Sequence, residues 1–435
     1  MAGRGATTAP AFHGVPASND QVRAVRRHGG TKAVRTMAER RHGSEAGAVE
    51  GDFFGVVDLL ADEERKLLER VREFLRAEVA PHANELWEAG RSPVSLRGRI
   101  AELGITGEEG DDVGVPARSS LFRGLLGMEM ARVDPSFATF FGVHAELAMG
   151  SVRACGSEEQ KARWLPAMTR WDKLGAFALT EPLVGSGTAA GLTTTARREG
   201  DTWVLDGEKK WIGNGSFADL LVVWARDVAD DQVKGFVVEH GARGLSAEVI
   251  PHKIALRGVQ NAHLVLEGVR VPETDRLQRA ESFADTNRVL RVTRAAVAWT
   301  ATGCALGAYE AARAYAVERE QFGRPIGAFQ LVQDLLARML ADITACQTLA
   351  VRLAALEEKD ELSDAQAALA KMFCTTRMRE TVARAREILG GNGILLDHDA
   401  ARFFADAEAL YSYEGTREMN SLIVGRAATG LSAFV

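Results

Sequence analysis

Tyr411-Ser-Tyr-Glu-Gly-Thr-Arg-Glu418 places one carboxylate, Glu414, between an aromatic ring and a glycine. Tyr413 is positioned to shield that carboxylate from water. Gly415 has no side chain, so a bound molecule can approach the backbone closely. Thr416 is a good N-cap, and Met419, Leu422 and Ile423 recur behind it at helical spacing. The stretch therefore reads as a short loop entering a helix. Packing against apolar groups strips water from a carboxylate and raises its pKa, which suits a general base. A solvated glutamate in a helix-entry loop has the same local sequence, so the reading depends on what surrounds it.

Working outward, helical patterns run from Thr286 towards Glu320, from Ala328 to Glu358 and from Ser363 to Leu389. Gly390-Gly-Asn-Gly393 stops the third. Long helices with short connections predict an antiparallel bundle over 282–435. Between 174 and 281, short β-type runs alternate with turn signals, among them Asp206-Gly207, and predict an antiparallel sheet. Over 53–173 the pattern is again helical. Leu67, Leu68, Val71, Phe74, Leu75 and Val79 recur at steps of three and four until Pro81 interrupts them. Asp134-Pro-Ser136 starts a helix that runs through Phe140 and His144, and Ser157-Glu-Glu-Gln160 reads as a capping box. Residues 1–52 have few large apolar side chains and read as a disordered tail, or as a start codon set too early, with Met37 an alternative. Asp20, Glu39, Glu45 and Glu50 argue against a transit peptide. The fold class expected is mainly α with a central antiparallel β domain: an α domain, a β domain, then a helical bundle.

The chain has 435 residues and a net charge of -6, which argues against a nucleic-acid-binding role. Cys155, Cys304, Cys346 and Cys374 lie far apart, so neither a metal site nor a disulfide framework is indicated. A reducing compartment, the cytoplasm, is the simplest setting. No uninterrupted apolar run spans a bilayer. The nearest, Val297 to Tyr309, is short and flanked by Arg294 and Glu310. Gly185-Ser-Gly-Thr-Ala-Ala190 matches a dinucleotide fingerprint, but Thr193-Thr-Thr195 and strands follow it where a βαβ helix would be required.

From about residue 58 onward the chain resembles the acyl-CoA dehydrogenases. The shared stretches are Leu179-Thr-Glu-Pro182 with Gly185-Ser186, Lys210-Trp-Ile212, Arg319 with Gln321-Phe-Gly323, Ile388-Leu-Gly-Gly-Asn-Gly393 and Tyr413-Glu-Gly-Thr416. Each is weak alone; together, in the family's order, they are specific. The glutaryl-CoA dehydrogenase branch and the peroxisomal short-chain acyl-CoA oxidases look nearest. The resemblance implies a homotetramer with one FAD per subunit, enclosed by sheet and bundle. It implies α,β-dehydrogenation of an acyl-CoA thioester, with Glu414 taking the α-proton and flavin N5 the β-hydride. The acceptor would be an electron-transfer flavoprotein or oxygen.

Site residues carry over one at a time. Phe177, Leu179, Thr180, Gly185 and Ser186 match the loop that holds the isoalloxazine, and Ser186 also faces substrate. Trp211, Ile212 and Gly213 match the segment flanking the ring. Arg319, Phe322 and Gln330 match contacts to the pyrophosphate and adenine side, partly from a neighbouring subunit. Glu387, Gly391, Thr416 and Glu418 match further contacts there, and Phe434 matches a cover over the cofactor. Arg294 matches an arginine beside the CoA groove and the base. Tyr413, Gly415, Ala138 and Thr139 belong to the substrate side.

Two departures matter. Glutaryl-CoA dehydrogenases carry an arginine that grips the distal carboxylate, and Ala138 stands in its place. A buried carboxylate left without its partner costs roughly 3–5 kcal/mol, so a short or branched monocarboxylic acyl group fits better. A glutaryl-CoA dehydrogenase with altered carboxylate recognition stays an alternative. Gly213 stands where most dehydrogenases have a threonine bonded to N5. The glycine is expected to open space there and ease oxygen access, which keeps an oxidase in view. Flavin monooxygenases and nitroalkane oxidases on this fold usually lose the carboxylate retained here, and a non-enzymatic helical scaffold would take up no FAD.

Overall fold

The structure, a computed structural model, describes residues 51–107 and 118–433. The tail expected over residues 1–50 and Phe434 lie outside the described residues. Gly51 and Asp52, assigned to that tail, are ordered. The Asp52 carboxylate accepts from the Val56 and Val57 N–H groups at 2.7 and 3.0 Å and so starts a 3-10 turn.

The first helical layer comprises α1 (Asp62–Phe74), α2 (Ala83–Ala89), α3 (Arg97–Leu103), α4 (Ser120–Val133), α5 (Pro135–Gly142), α6 (Met149–Cys155) and α7 (Glu158–Thr169). Leu67, Leu68, Val71 and Phe74 turn one face of α1 into the core. Pro81 does not simply end it. The backbone passes through a π turn, Leu75–Val79, and a 3-10 turn, Ala80–His82, which absorb the missing N–H before α2. Asp134 caps α5 by accepting from the Ser136 N–H at 3.0 Å, with Pro135 at the first helical position. Ser157 and Gln160 form the capping box of α7.

The middle of the chain holds β1 (Gly175–Ala178), a single turn α8 (Thr188–Gly191), β2 (Thr195–Glu199), β3 (Thr202–Gly213), β4 (Leu220–Asp227), β5 (Val233–Glu239), β6 (Leu245–Val249) and β7 (Asn261–Pro272). Four strand pairings are antiparallel, as expected. β1 and β2 instead run parallel to β4, sharing one of its edges in succession. Each reaches β4 only through a connection containing other elements, which is the geometry parallel pairing requires. Asp206-Gly207, read above as a turn, is a bulge inside the continuous β3. Gly207 has φ +145°, and a Cβ there would sit 2.7 Å from the Thr194 Cα.

The last segment is a bundle: α9 (Phe283–Glu318), a small hairpin β8 (Glu320–Gln321) and β9 (Arg324–Pro325), α10 (Gln330–Glu357), α11 (Asp364–Ile388), α12 (Ala400–Ser412) and α13 (Arg417–Thr429). α9 packs on both α4 and α11. At Gly303 a Cβ would lie 2.1 Å from the Met128 carbonyl oxygen, so the two backbones approach too closely for any side chain. α10, and not Val297 to Tyr309, is the candidate for a membrane-spanning segment: an 18-residue window has mean hydropathy 1.4, enough by length and composition alone to cross a bilayer. It packs against α9 and α11, and apolar side chains outside that contact, such as the exposed Leu331, raise the hydropathy.

A buried polar knot ties α12 to the first layer. Arg402, only 2% exposed, donates to Asp134 at 3.0 Å, to Asn84 at 2.7 Å and to the Val133 carbonyl at 3.1 Å. Asp406 accepts from the Trp87 indole at 2.7 Å and the Leu256 N–H at 2.6 Å; burial pushes its carboxyl up to about 7. Removing the cation strands Asp134 without a counter-charge. Arg402→Met should therefore destabilise the fold by about 3–5 kcal/mol in urea unfolding. An unchanged midpoint would show that the knot contributes nothing.

Candidate active site

Glu414 lies in the turn between α12 and α13, one residue after the Tyr413 cap. Its backbone has φ +51° and the next residue, Gly415, φ +86°. A non-glycine residue in the left-handed region is strained and persists only where its surroundings hold it. Thr416 caps α13 by accepting from the Met419 N–H at 3.3 Å. The Glu414 carboxylate accepts a hydrogen bond from the Thr293 hydroxyl at 2.8 Å. Burial pushes its carboxyl above the usual range, while the Thr293 hydroxyl and the Arg294 and Lys371 cations oppose the rise. Glu414 keeps partial accessibility, so the group is desolvated yet reachable. Burial in turn lowers the Arg294 guanidinium, countered by Glu414 and Asp364. Tyr413, half-buried, lies beside the Thr139 hydroxyl of α5 and packs on the main core. This brings Thr139 and the neighbouring buried Ala138 to the Glu414 turn.

A second group forms at the edge of the sheet. Phe177 ends in β1, and Leu179 to Glu181 follow it. Glu181 accepts from the Thr193 N–H and hydroxyl, both at 2.7 Å, and from the Thr194 N–H at 2.9 Å. Lys209, fully buried on β3, donates to Glu181 at 2.9 Å and to the Leu179 carbonyl at 3.0 Å. Burial drives the lysine down to about 8. Burial also opposes the Glu181 charge, but the Lys209 ammonium and the hydrogen bonds win and hold it at about 2. The Lys210 N–H donates to the Thr180 carbonyl at 2.8 Å. The Leu179–Glu181 loop is thus clamped beside Trp211, a residue 53% exposed with φ +67°. Gly185 and Ser186 are exposed on the same loop. Ile212 and Gly213 are buried. The space expected beside Gly213 is filled: a Cβ there would meet the Val143 Cγ2 at 2.8 Å. Val143 follows α5 directly, four residues after Thr139, so the sheet group and the Glu414 turn meet along one helix.

A third group stands apart. Arg319, Phe322, Gln330, Glu387 and Gly391 are exposed around the far ends of α9 and α11 and the start of α10. Phe322 is 92% exposed with φ +53°. From Thr293 to Arg319 the chain climbs roughly 39 Å along α9. The third group therefore stands a long way along α9 from Glu414 of the same chain. Glu418 is exposed and paired with Arg417.

Sequence reasoning missed Thr293, Lys371, the Glu181–Lys209 pair and Val143. Lys371 did leave a signal: it is the one charge in Ala367-Ala-Leu-Ala-Lys-Met-Phe373.

Three family profiles cover nearly all the described chain: the acyl-CoA dehydrogenase N-terminal domain at 61–172, the middle domain at 176–269 and the C-terminal domain at 283–429. The chain belongs to the acyl-CoA dehydrogenase family. It is 31% identical to the probable acyl-CoA dehydrogenase YngJ of Bacillus subtilis over 84% of this chain and 98% of that protein. A glutaryl-CoA dehydrogenase structure from Mycobacterium smegmatis superposes with TM-score 0.84 at 38% identity, covering 89% of this chain and 99% of the other. Another from that organism, in complex with FADH2, superposes at 0.86 with 34% identity, covering 89% and all of the other chain. The chain is an acyl-CoA dehydrogenase, an oxidoreductase.

A carboxylate can take a proton only when ionised, and the Thr293 hydrogen bond favours that form of Glu414. A hydrogen bond to a charged group is worth about 1.5–3 kcal/mol, or about 1–2 pKa units. Thr293→Val should move the ascending limb of the pH–rate profile for acyl-CoA dehydrogenation upward by about that amount. An unmoved limb would mean that the group titrating there is not Glu414.

Proposed function

We propose that this enzyme binds FAD and converts a short or branched, monocarboxylic acyl-CoA to its trans-2-enoyl-CoA, with Glu414 as the general base. The observation that carries the reading is the Glu414 carboxylate itself: raised towards neutrality by burial, aimed by Thr293 and flanked by Arg294. The Glu414 N–H makes no backbone hydrogen bond among the described residues and is free for the thioester carbonyl. Polarising that carbonyl makes the α-proton removable. Glu414 takes the proton; Tyr413 and Thr139 wall the acyl side and exclude water.

The residues present fit FAD. Trp211 offers an exposed flat ring, and no hydrogen bond among the described residues engages the Thr180 or Ser186 hydroxyls. Phe177, Leu179, Thr180, Gly185, Ser186, Trp211, Ile212 and Gly213 would hold the ring. When bound, FAD accepts the β-hydride. Arg319, Phe322, Gln330, Glu387 and Gly391 would serve a neighbouring subunit's FAD, since they lie a long way along α9 from Glu414 of the same chain. This favours a homo-oligomer, a tetramer in our reading. The open apolar groove of about 820 Å³ between Phe53, Phe54 and α10 gives it a surface to bury.

Ala138 supplies no cation for a second carboxylate, which favours a monocarboxylic substrate over glutaryl-CoA. Val143 fills the space beside Gly213, which favours an electron-transfer flavoprotein over oxygen as acceptor. We assign the enzyme to the cytoplasm; its four free, buried cysteines fit a reducing compartment.

Glu414→Gln should bind FAD normally yet fail to bleach it anaerobically with butyryl-CoA or isobutyryl-CoA, which bleach wild type. Bleaching of the variant at the wild-type rate would remove Glu414 as the base. Reduced wild type should re-oxidise slowly in air and rapidly with electron-transfer flavoprotein; fast air oxidation with stoichiometric peroxide would assign oxygen instead.

A further inference from the structure

The turn that carries Glu414 is short, and two successive residues in it adopt the left-handed region. Something must hold it. Lys371, reaching across from α11, is fully buried. Its ammonium donates to the Tyr411 carbonyl at 2.9 Å and to the Gly415 carbonyl at 2.6 Å. One acceptor precedes Glu414 and the other follows it, so the ammonium brackets the base. The Tyr411 carbonyl belongs to the last turn of α12, where orphan acceptors and the negative end of the helix dipole favour a cation.

Two neutral carbonyls do not require a charge. Asn420 satisfies the same Gly415 carbonyl with an uncharged amide, at 2.9 Å, and the Thr416 carbonyl at 3.0 Å. Burying an ammonium is costly unless an anion answers it. The charges facing Lys371 are Glu414 on the turn, Glu418 on α13 and Arg294 on α9. Of the two anions, Glu418 is exposed and paired with Arg417, which leaves the desolvated Glu414 as the counter-charge.

We propose that Lys371 is the positioning residue of the catalytic base: its buried ammonium pins the turn on both sides of Glu414, fixes the aim of the carboxylate and keeps it ionised. The inference rests on Glu414 being the base. Burial sets the Lys371 ammonium at about 8, so it carries its proton at neutral pH. Charge and geometry then act together: the helix-end contacts hold the turn, and the cation holds the carboxylate's state.

The test compares purified FAD-loaded Lys371→Gln, Lys371→Met, Lys371→Arg and Asn420→Leu, each checked for flavin content and circular dichroism. The neutral lysine variants should lower kcat by about a hundredfold, the scale of a misplaced reacting group, with KM within about threefold. Their ascending pH limb should move up by about one to three units, the effect of removing a nearby cation. Lys371→Arg should restore the limb. Asn420→Leu, which removes a neutral donor from the same carbonyl, should leave the limb unmoved. A folded Lys371→Gln or Lys371→Met with wild-type kcat and pH limb overturns the proposal. So does an equal limb shift in Asn420→Leu, which would make the role purely structural. Should both neutral variants fail to fold, Lys371→Arg decides: a limb displaced by about a full unit despite the retained charge overturns it. Activity surviving in Glu414→Gln would instead remove the base reading on which this rests.

Discussion

A carboxylate proposed to act as a base near neutral pH while staying reachable by substrate has to be desolvated without being lost to protonation or to a salt bridge. In this protein two helices and a helix junction share that task around one turn. α9 contributes the Thr293 hydroxyl and the Arg294 guanidinium, α11 the Lys371 ammonium, and the α12–α13 junction the strained backbone itself. None of these groups makes a direct ion pair with Glu414 within 4 Å among the described residues. The hydroxyl donates and the cations stand by, which tempers the effect of burial without cancelling it.

That arrangement requires the bundle and the first helical layer to be rigid relative to each other. Gly303 lets α9 approach α4 to backbone contact, and the Arg402 knot fastens α12 to α5 and α2. Thr139 then reaches Tyr413 from α5, and one turn further on Val143 reaches Gly213 of β3. A single short helix thereby relates the Glu414 turn to the edge of the sheet. The Glu181–Lys209 pair does the same for the loop on the sheet side. It replaces solvent with fixed charges that cannot reorient, which is what a preorganised site needs.

How much of this was legible depended on whether the cause was local. Helical periodicity, the Ser157 capping box and the Asp134-Pro135 start are set by neighbours within a turn, and they stand in the structure. Asp206-Gly207 misled because glycine serves turns and bulges alike; only the distant Thr194 decides between them. The parallel pairing of β1 and β2 with β4 is a matter of topology and leaves no periodic trace. Gly213 read as open space because the Val143 methyl that fills it comes from another domain. Thr293 and Lys371 lie 121 and tens of residues from the turn they serve, so no window centred on Glu414 contains them. Reading for uninterrupted apolar runs passes over α10 in favour of Val297 to Tyr309, and the meaning of the α10 apolar content depends on which faces the bundle covers.

The central claim concerns where one oxygen atom sits. A crystal structure of the enzyme with FAD and a non-reducible acyl-CoA thioester measures it directly. The account predicts a Glu414 carboxylate oxygen about 3–3.5 Å from the thioester α-carbon, on the face opposite the flavin ring, with the Thr293 hydrogen bond intact. A Glu414 side chain turned to bulk water, or a different ionisable group nearer that carbon, would contradict it.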